Sequence, residues 1–164
     1  MQHQIKAIEY DREHFLDLLL LADPSQEMVL SYLHSGYLFA LFDNGTVVGV
    51  IHLLPLLDTS LEQRTIEIKN IAVQPEMLGR GCGKELIQYA TAFCREQSYH
   101  RIIVGTGNSS IDNLAFYQKV GFRFRSVVRD FFALHYSEPI FEHGIQCRDM
   151  IILDLDLDSD LKTL

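Results

Sequence analysis

Residues 70–87 read NIAVQPEMLGRGCGKELI, and the fold turns on how that stretch divides. Ile66, Ile68, Ile71 and Val73 stand among polar residues in a β-branched run, which predicts a strand beginning at residue 65. Pro75 cannot donate to a ladder and ends the strand. Gly79, Gly81 and Gly83 follow at alternate positions. From Gly83 the apolar spacing becomes helical, through Leu86, Ala90, Phe93 and Cys94 as far as Gln97. A strand, a glycine-rich turn and a helix in that order make an anion site. Amides point at the ligand, no Cβ obstructs its approach, and the helix dipole favours negative charge. The expected ligand is a phosphorylated molecule.

Outward from this unit, residues 4–10 alternate as a first strand. Asp11 caps an apolar segment at 15–21 that predicts a helix, stopped by Asp23 and Pro24. Ser25 caps a second helix reaching His34, and Gly36 terminates it. Apolar runs at 37–42 and 46–54 flank Asp43, Asn44 and Gly45, and an Asn-Gly pair between such runs is a strong hairpin signal. Residues 58–63 form a polar loop ahead of the glycine-turn unit. After that unit come a short buried strand at 101–104, a polar turn at 105–110, a helix at 111–120 closed by Gly121, and a strand at 122–128. Residues 130–148 read as irregular, aromatic and acidic, and 149–157 as a final alternating strand. The order β-α-α-β-β-β-α-β-α-β-β predicts an α/β fold, a mixed central β-sheet flanked by helices. The glycine turn then lies at the end of a central strand, where open sheets bind ligands. With no repeat and no linker, residues 1–164 read as a single domain.

Hydrophobic residues make up 48% of the chain and charged residues 22%, as in ordinary globular proteins and unlike disordered ones. A net charge of −8 argues against a nucleic-acid partner, since phosphate contacts need clustered Lys and Arg. It favours a cationic substrate, although the same charge also serves solubility. No apolar run approaches the roughly 20 residues of a membrane span. The opening MQHQIKAIEYD lacks the apolar core of a signal peptide. Cys82, Cys94 and Cys147 have neither disulfide nor zinc spacing, and His135 and His143 lack a metal-ligand partner at useful spacing. The expectation is a cytoplasmic protein without a metal or a membrane partner.

Two common phosphate loops fail on spacing. A P-loop needs Gly, four residues, then Gly-Lys-Ser/Thr, but Leu78 stands in the first glycine position and Glu85 follows Gly83-Lys84. A dinucleotide fingerprint needs Gly-x-Gly-x-x-Gly, and its last position falls on Lys84 or on Leu86.

Residues 73–87, VQPEMLGRGCGKELI, resemble the acyl-coenzyme-A loop of the GNAT superfamily of N-acetyltransferases, written (Gln/Arg)-x-x-Gly-x-(Gly/Ala). Gly81 and Gly83 match the two small positions, and Gly79-Arg80 is a frequent pair before them. Leu78 replaces the usual Gln or Arg, which removes a side chain and leaves the backbone amides. Residues 113–122, NLAFYQKVGF, resemble the second family signature, Tyr-x-Lys-x-Gly-Phe, with Tyr117, Lys119, Gly121 and Phe122 in register. The usual Asn and Ala before the tyrosine are Ser110 and Asn113, which leaves the helix's cofactor contact open between Ser110, Asn113 and Asn108. The element order resembles the family along nearly the whole chain, apart from the long stretch before the last strand.

The resemblance implies acetyl-CoA as co-substrate. Its pyrophosphate would meet the amides around Gly79, Arg80, Gly81, Cys82, Gly83 and Lys84. Its pantetheine arm would pair with the backbone of Ile71, Ala72 and Val73, where an amide also faces the thioester oxygen. Amine acetylation needs a neutral amine, yet an alkylammonium titrates at about 10.4, so a base must take a proton and the leaving thiolate needs one back. Tyr117 is the candidate acid; the same ring could instead be half-buried packing. Ser110, Asn113 and Tyr117 share a face of the 111–120 helix, with Ile111, Leu114, Ala115 and Val120 on the buried side. Glu67 is the candidate base, at a strand position where some protein-acetylating members of the resembling family carry a catalytic glutamate. Alternation puts Glu67, Lys69 and, before any bulge, Ile71 on one face, so a structural Glu67–Lys69 ion pair is equally open.

Cys82 lies where a helix start would lower its thiol pKa, although a small side chain that fits is the simpler account. Residues 153–160 alternate Leu and Asp but lack the glycine and twelfth-position Glu of a calcium loop. They read as an exposed strand whose charges discourage edge pairing. Residues 130–143, DFFALHYSEPIFEH, supply aromatics to wall an acceptor pocket and Glu138 and Glu142 to attract an amine; equally, the aromatics could cover the core or a homodimer interface. The expected activity is transfer of acetyl from acetyl-CoA to a small-molecule or peptide primary amine, by direct attack in a ternary complex. A non-catalytic acyl-CoA-binding regulatory module would keep the loop without needing Tyr117.

Overall fold

The computed structural model describes residues 2–57 and 64–159, so the polar loop expected at 58–63 lies outside the described residues. The chain separates into two compact units, Met1–His100 and Arg101–Leu164.

The first unit holds strands β1 (His3–Ala7), β2 (Tyr37–Asp43), β3 (Thr46–Pro55) and β4 (Thr65–Val73), paired antiparallel in that order. The β2–β3 turn is the expected Asn-Gly hairpin, with Asn44 at φ 49° and Gly45 at φ 84°. Helices α1 (Leu16–Leu19) and α2 (Gln26–Tyr32) cover one sheet face. Leu18, Leu19, Val29 and Leu33 pack there against Leu38, Ala40, Val50 and Ala72. Helix α3 (Cys82–Glu96) covers the other face, with Phe39 edge-on to Tyr89 and Phe93 at 5.0 and 4.9 Å. Ser25 caps α2 as expected, its Oγ accepting from the Met28 N–H at 3.3 Å. Asp11 does not cap as expected. It adopts a left-handed conformation without a side-chain cap bond, and a short 3₁₀ turn, Arg12–Phe15, precedes α1.

Gly36 ends the α2 connection at φ +59°, and a Cβ there would stand 2.1 Å from the Leu53 carbonyl oxygen, so only glycine fits. Arg12 fixes the same corner. Its guanidinium donates to the carbonyls of Ile8, Leu33, Ser35 and Gly36 at 2.9–3.1 Å, capping the end of α2 with a charge.

The second unit holds strands β5 (Arg101–Gly107), β6 (Arg123–Val128) and β9 (Met150–Asp156), ordered β5-β9-β6 and antiparallel throughout. Helix α4 (Ile111–Lys119) connects β5 to β6. Residues 130–148 are more regular than expected. They form helix α5 (Phe131–His135) and a hairpin of β7 (Ile140–Glu142) and β8 (Ile145–Cys147), elements too short to leave a periodic signature. The final strand is also corrected. β9 lies between two partners, and Asp154 pairs with Arg101 and Arg125 at 3.3 and 2.8 Å. Asp154 therefore answers arginines on both neighbouring strands, and β9 is not an open edge.

Candidate active site

In the first unit, β4 ends at Val73 and a 3₁₀ turn, Pro75–Met77, leads into the glycine loop. Leu78 is extended and 65% exposed, so the residue that departs from the motif brings no polar side chain to the loop. Gly79 and Gly81 have φ of +75° and +85°, and a Cβ at either would meet nothing within 4 Å. Backbone conformation, not crowding, selects glycine here. Gly81 is the N-cap of α3 and brings no capping side chain, while the Glu85 N–H closes the first helical bond on its carbonyl at 3.0 Å. The amides of Cys82, Gly83 and Lys84 have no intrahelical acceptor and can serve an anion, with exposed Arg80 and Lys84 beside them. The helix begins one residue earlier than expected, which puts Gly83 inside its first turn.

Cys82 is 1% exposed, and burial together with the Glu85 carboxylate pushes its thiol pKa up. The expected lowering is not met: burial and the Glu85 carboxylate outweigh the residue's own N–H and the Arg80 charge.

On β4 the chain carries one extra residue. His52 opposes Asn70 and Leu53 opposes Ile68, which leaves Lys69 as a β-bulge. The bulge reverses the alternation. Glu67, opposite Leu54, shares the α1–α2 face with His52 and Asn70, whereas Ile71, opposite Ile51, turns to the α3 face. Glu67, Lys69 and Ile71 therefore do not share a face. Ala72 faces the α1–α2 core and Val73 neighbours the α3 side, near Gly49. Glu67 is half-buried, and that burial pushes its carboxyl above the ordinary range, with the Lys69 ammonium opposing. No ion-pair contact holds Lys69 to Glu67 among the described residues; the Lys69 ammonium lies 5.7 Å from the centre of the Tyr32 ring.

Beside Glu67 lies a polar cluster that sequence reasoning missed. Asn70 donates through Nδ2 to the Leu19 carbonyl and the Tyr32 hydroxyl, both at 2.9 Å. His52 is fully buried, stacks obliquely on Tyr32 at 5.0 Å, and donates from Nε2 to the Ser35 carbonyl at 2.7 Å. Burial lowers its pKa to about 4, so the ring is neutral. The only signal in the sequence was a polar letter inside an apolar strand, which names no partner.

In the second unit, Tyr117 is the buried residue of α4, 5% exposed, with Phe116 and Phe122 edge-on at 5.2 and 5.6 Å. The expected division of α4 holds in part: Asn113 is exposed and Leu114, Ala115 and Val120 are half-buried, whereas Ile111 is 43% exposed and the tyrosine faces inward. Burial pushes the Tyr117 phenol above its ordinary value, so it keeps its proton at neutral pH. Asn113 Nδ2 reaches Thr106 Oγ1 at 3.4 Å. Asn108 and Ser110 point their polar groups at residues 142–149.

Comparison with known proteins follows the same lines. Residues 5–122 match the model of the Acetyltransferase (GNAT) family. The chain is 43% identical to an uncharacterized N-acetyltransferase, YvbK, of Bacillus subtilis, over 94% of this chain and 96% of that one. A Bacillus subtilis acetyltransferase solved in complex with CoA superposes with a TM-score of 0.86 at 42% identity, covering 94% of this chain and 99% of that one. An Elizabethkingia anophelis GNAT acetyltransferase with acetyl-CoA bound gives 0.86 at 39% identity, covering 94% and 97%. A mostly antiparallel α/β fold, a glycine loop opening α3 and a match across both units together establish that this chain belongs to the GNAT family of N-acetyltransferases.

Proposed function

We propose that the protein uses acetyl-CoA to acetylate a primary amine directly, within one ternary complex and one domain. The observation that carries this reading is the loop at Gly79–Lys84. Two left-handed glycines and an uncapped α3 start present amides, with two cations beside them, to a pyrophosphate. Relatives of similar length and fold, solved with CoA and with acetyl-CoA, support the same ligand.

Acetyl-CoA supplies the activated acyl group. The amine nitrogen forms the new N–C bond as the C–S bond breaks. Two proton transfers need side chains, the loss of one from the ammonium before attack and the gain of one by the thiolate, and a further proton that the nitrogen sheds as the amide forms restores the donor. Glu67, half-buried and with a raised pKa, is the acceptor of the first. Tyr117, neutral and buried, is the donor of the second. No side chain is assigned a covalent role, since the sequence shows no nucleophile paired with a base.

Calorimetry with acetyl-CoA, alongside a turnover screen over polyamines, aminoglycoside-like amines, a peptide N-terminus and a peptide lysine, tests the proposal. The expected outcome is binding plus CoA release with at least one amine class. Binding without turnover for every amine would identify a regulatory acyl-CoA-binding module instead.

A further inference from the structure

Resemblance assigns the turn after β5 to the cofactor, yet its polar groups are committed elsewhere. Asn108 donates through Nδ2 to the Gln146 carbonyl at 3.1 Å and accepts at Oδ1 from the N–H groups of Arg148 and Asp149 at 2.8 and 3.0 Å. Its own N–H donates to the Asp149 carbonyl at 3.0 Å. Ser109 and Ser110 both donate to the same Oε1 of Glu142, at 3.0 and 2.9 Å. Ser110 is the N-cap of α4 but makes no side-chain cap bond, so its hydroxyl is spent on the hairpin. Gly107 completes the seat: a Cβ there would lie 2.5 Å from the Cys147 sulfur. Every one of these contacts lies between the turn 107–110 and the segment 142–149.

The chemistry of the segment indicates what it serves. Residues 130–149 carry carboxylates at Asp130, Glu138, Glu142 and Asp149 against one arginine, Arg148, which is itself paired with Asp130 at 3.0 Å. That balance repels the phosphates of CoA and attracts an alkylammonium. The same segment exposes Leu134, Phe141 and Ile145, which suit an acceptor with an apolar body.

We infer that Asn108, Ser109 and Ser110 form a socket for the chain's own 140–149 segment, with Asn108 and Glu142 as positioning residues for amine recognition rather than cofactor contacts. The recognition half rests on the acetyltransfer reading above; the socket does not.

Asn108→Ala and the milder Glu142→Gln test it through three readouts. Hydrogen exchange on the protein without ligand should show the Arg148 and Asp149 amides losing protection about tenfold or more in Asn108→Ala, because their acceptor is gone. Calorimetry should give an acetyl-CoA affinity within about twofold of wild type. With a productive amine, KM for the amine should rise several-fold in both variants while kcat changes less. Acetyl-CoA affinity falling about tenfold with those amides still protected would overturn the socket and restore the cofactor contact. A loosened segment with unchanged amine KM would overturn the recognition half. If wild type acetylates no amine, the acetyltransfer reading and the recognition half fall together, while exchange and calorimetry still decide the socket.

Discussion

Burial does opposite service for Glu67 and Tyr117. A carboxyl raised above its ordinary range is a stronger base, provided the pH stays above its pKa; a phenol raised above its own range is a reliable proton store. Glu67→Gln should lower kcat about 10²- to 10⁴-fold and abolish the acidic limb of the kcat/KM profile. In wild type that limb should lie above the usual carboxylate range, with rate falling as pH drops through the raised pKa. Full activity with an unshifted profile would remove Glu67 as the base. Tyr117→Phe should lower turnover comparably with acetyl-CoA affinity retained, and unchanged turnover would leave the ring a packing group. At this scale the sequence was readable where a residue acts on its neighbours through a fixed short-range geometry, though Asp11, left-handed and without a cap bond, shows that a capping letter alone does not suffice. Ser25 on Met28 and the Asn44-Gly45 turn are local devices, fixed by geometry a few residues long. His52 and Asn108 were not readable, because their partners lie 17 and 38 to 41 residues away and only the assembled fold brings them near.

Among elements, the strand–loop–helix unit from Thr65 to Glu96 was legible because it changes hydrophobic period, from two to about 3.6, across a run of glycines. The bulge at Lys69 was not. One unpaired residue leaves the composition of the strand unchanged, yet it moves Ile71 to the opposite face from Glu67. β9 was misread for a related reason: acidic letters mark an open edge only when no neighbouring strand brings an arginine to them, and here Arg101 of β5 and Arg125 of β6 both reach Asp154. The loop itself yields a controlled prediction. Gly81→Ala and Gly45→Ala each force alanine to φ of +85° or +84° with nothing within 4 Å of the new Cβ, so both carry the same left-handed cost of about 1–2 kcal/mol. If the Gly79–Lys84 loop binds the pyrophosphate, Gly81→Ala should weaken acetyl-CoA binding about tenfold. Gly45→Ala should lose similar stability with affinity intact. Equal affinities in a calorimetric titration of the two variants would place the ligand elsewhere.

For the molecule as a whole, the stretch matched to the family, residues 5–122, crosses the junction of the two compact units at His100 and Arg101. We therefore propose that the chain unfolds as one domain, and acid provides the test. His52 is fully buried and neutral, its pKa about 4 in the fold against 6.5 for the free group. Between those values the unfolded chain binds a proton that the native state refuses. Stability therefore falls as pH drops below 6.5, and the loss is complete near pH 4. Going from pH 7 to pH 5 should cost about 2 kcal/mol from this group alone. Glu67 acts with the opposite sign. Its raised folded pKa means that acidification relieves a penalty, so the comparison must be internal to one position. His52→Gln removes the titrating ring while keeping an amide N–H for the Ser35 carbonyl. Unfolding free energies from urea titrations should fall with acid by about 2 kcal/mol more for wild type than for the variant. Hydrogen exchange read at α2 in the first unit and α4 in the second should report the same loss if unfolding is cooperative. A loss confined to α2 would show that the units open separately, and parallel curves for variant and wild type would show that folding does not lower the His52 pKa.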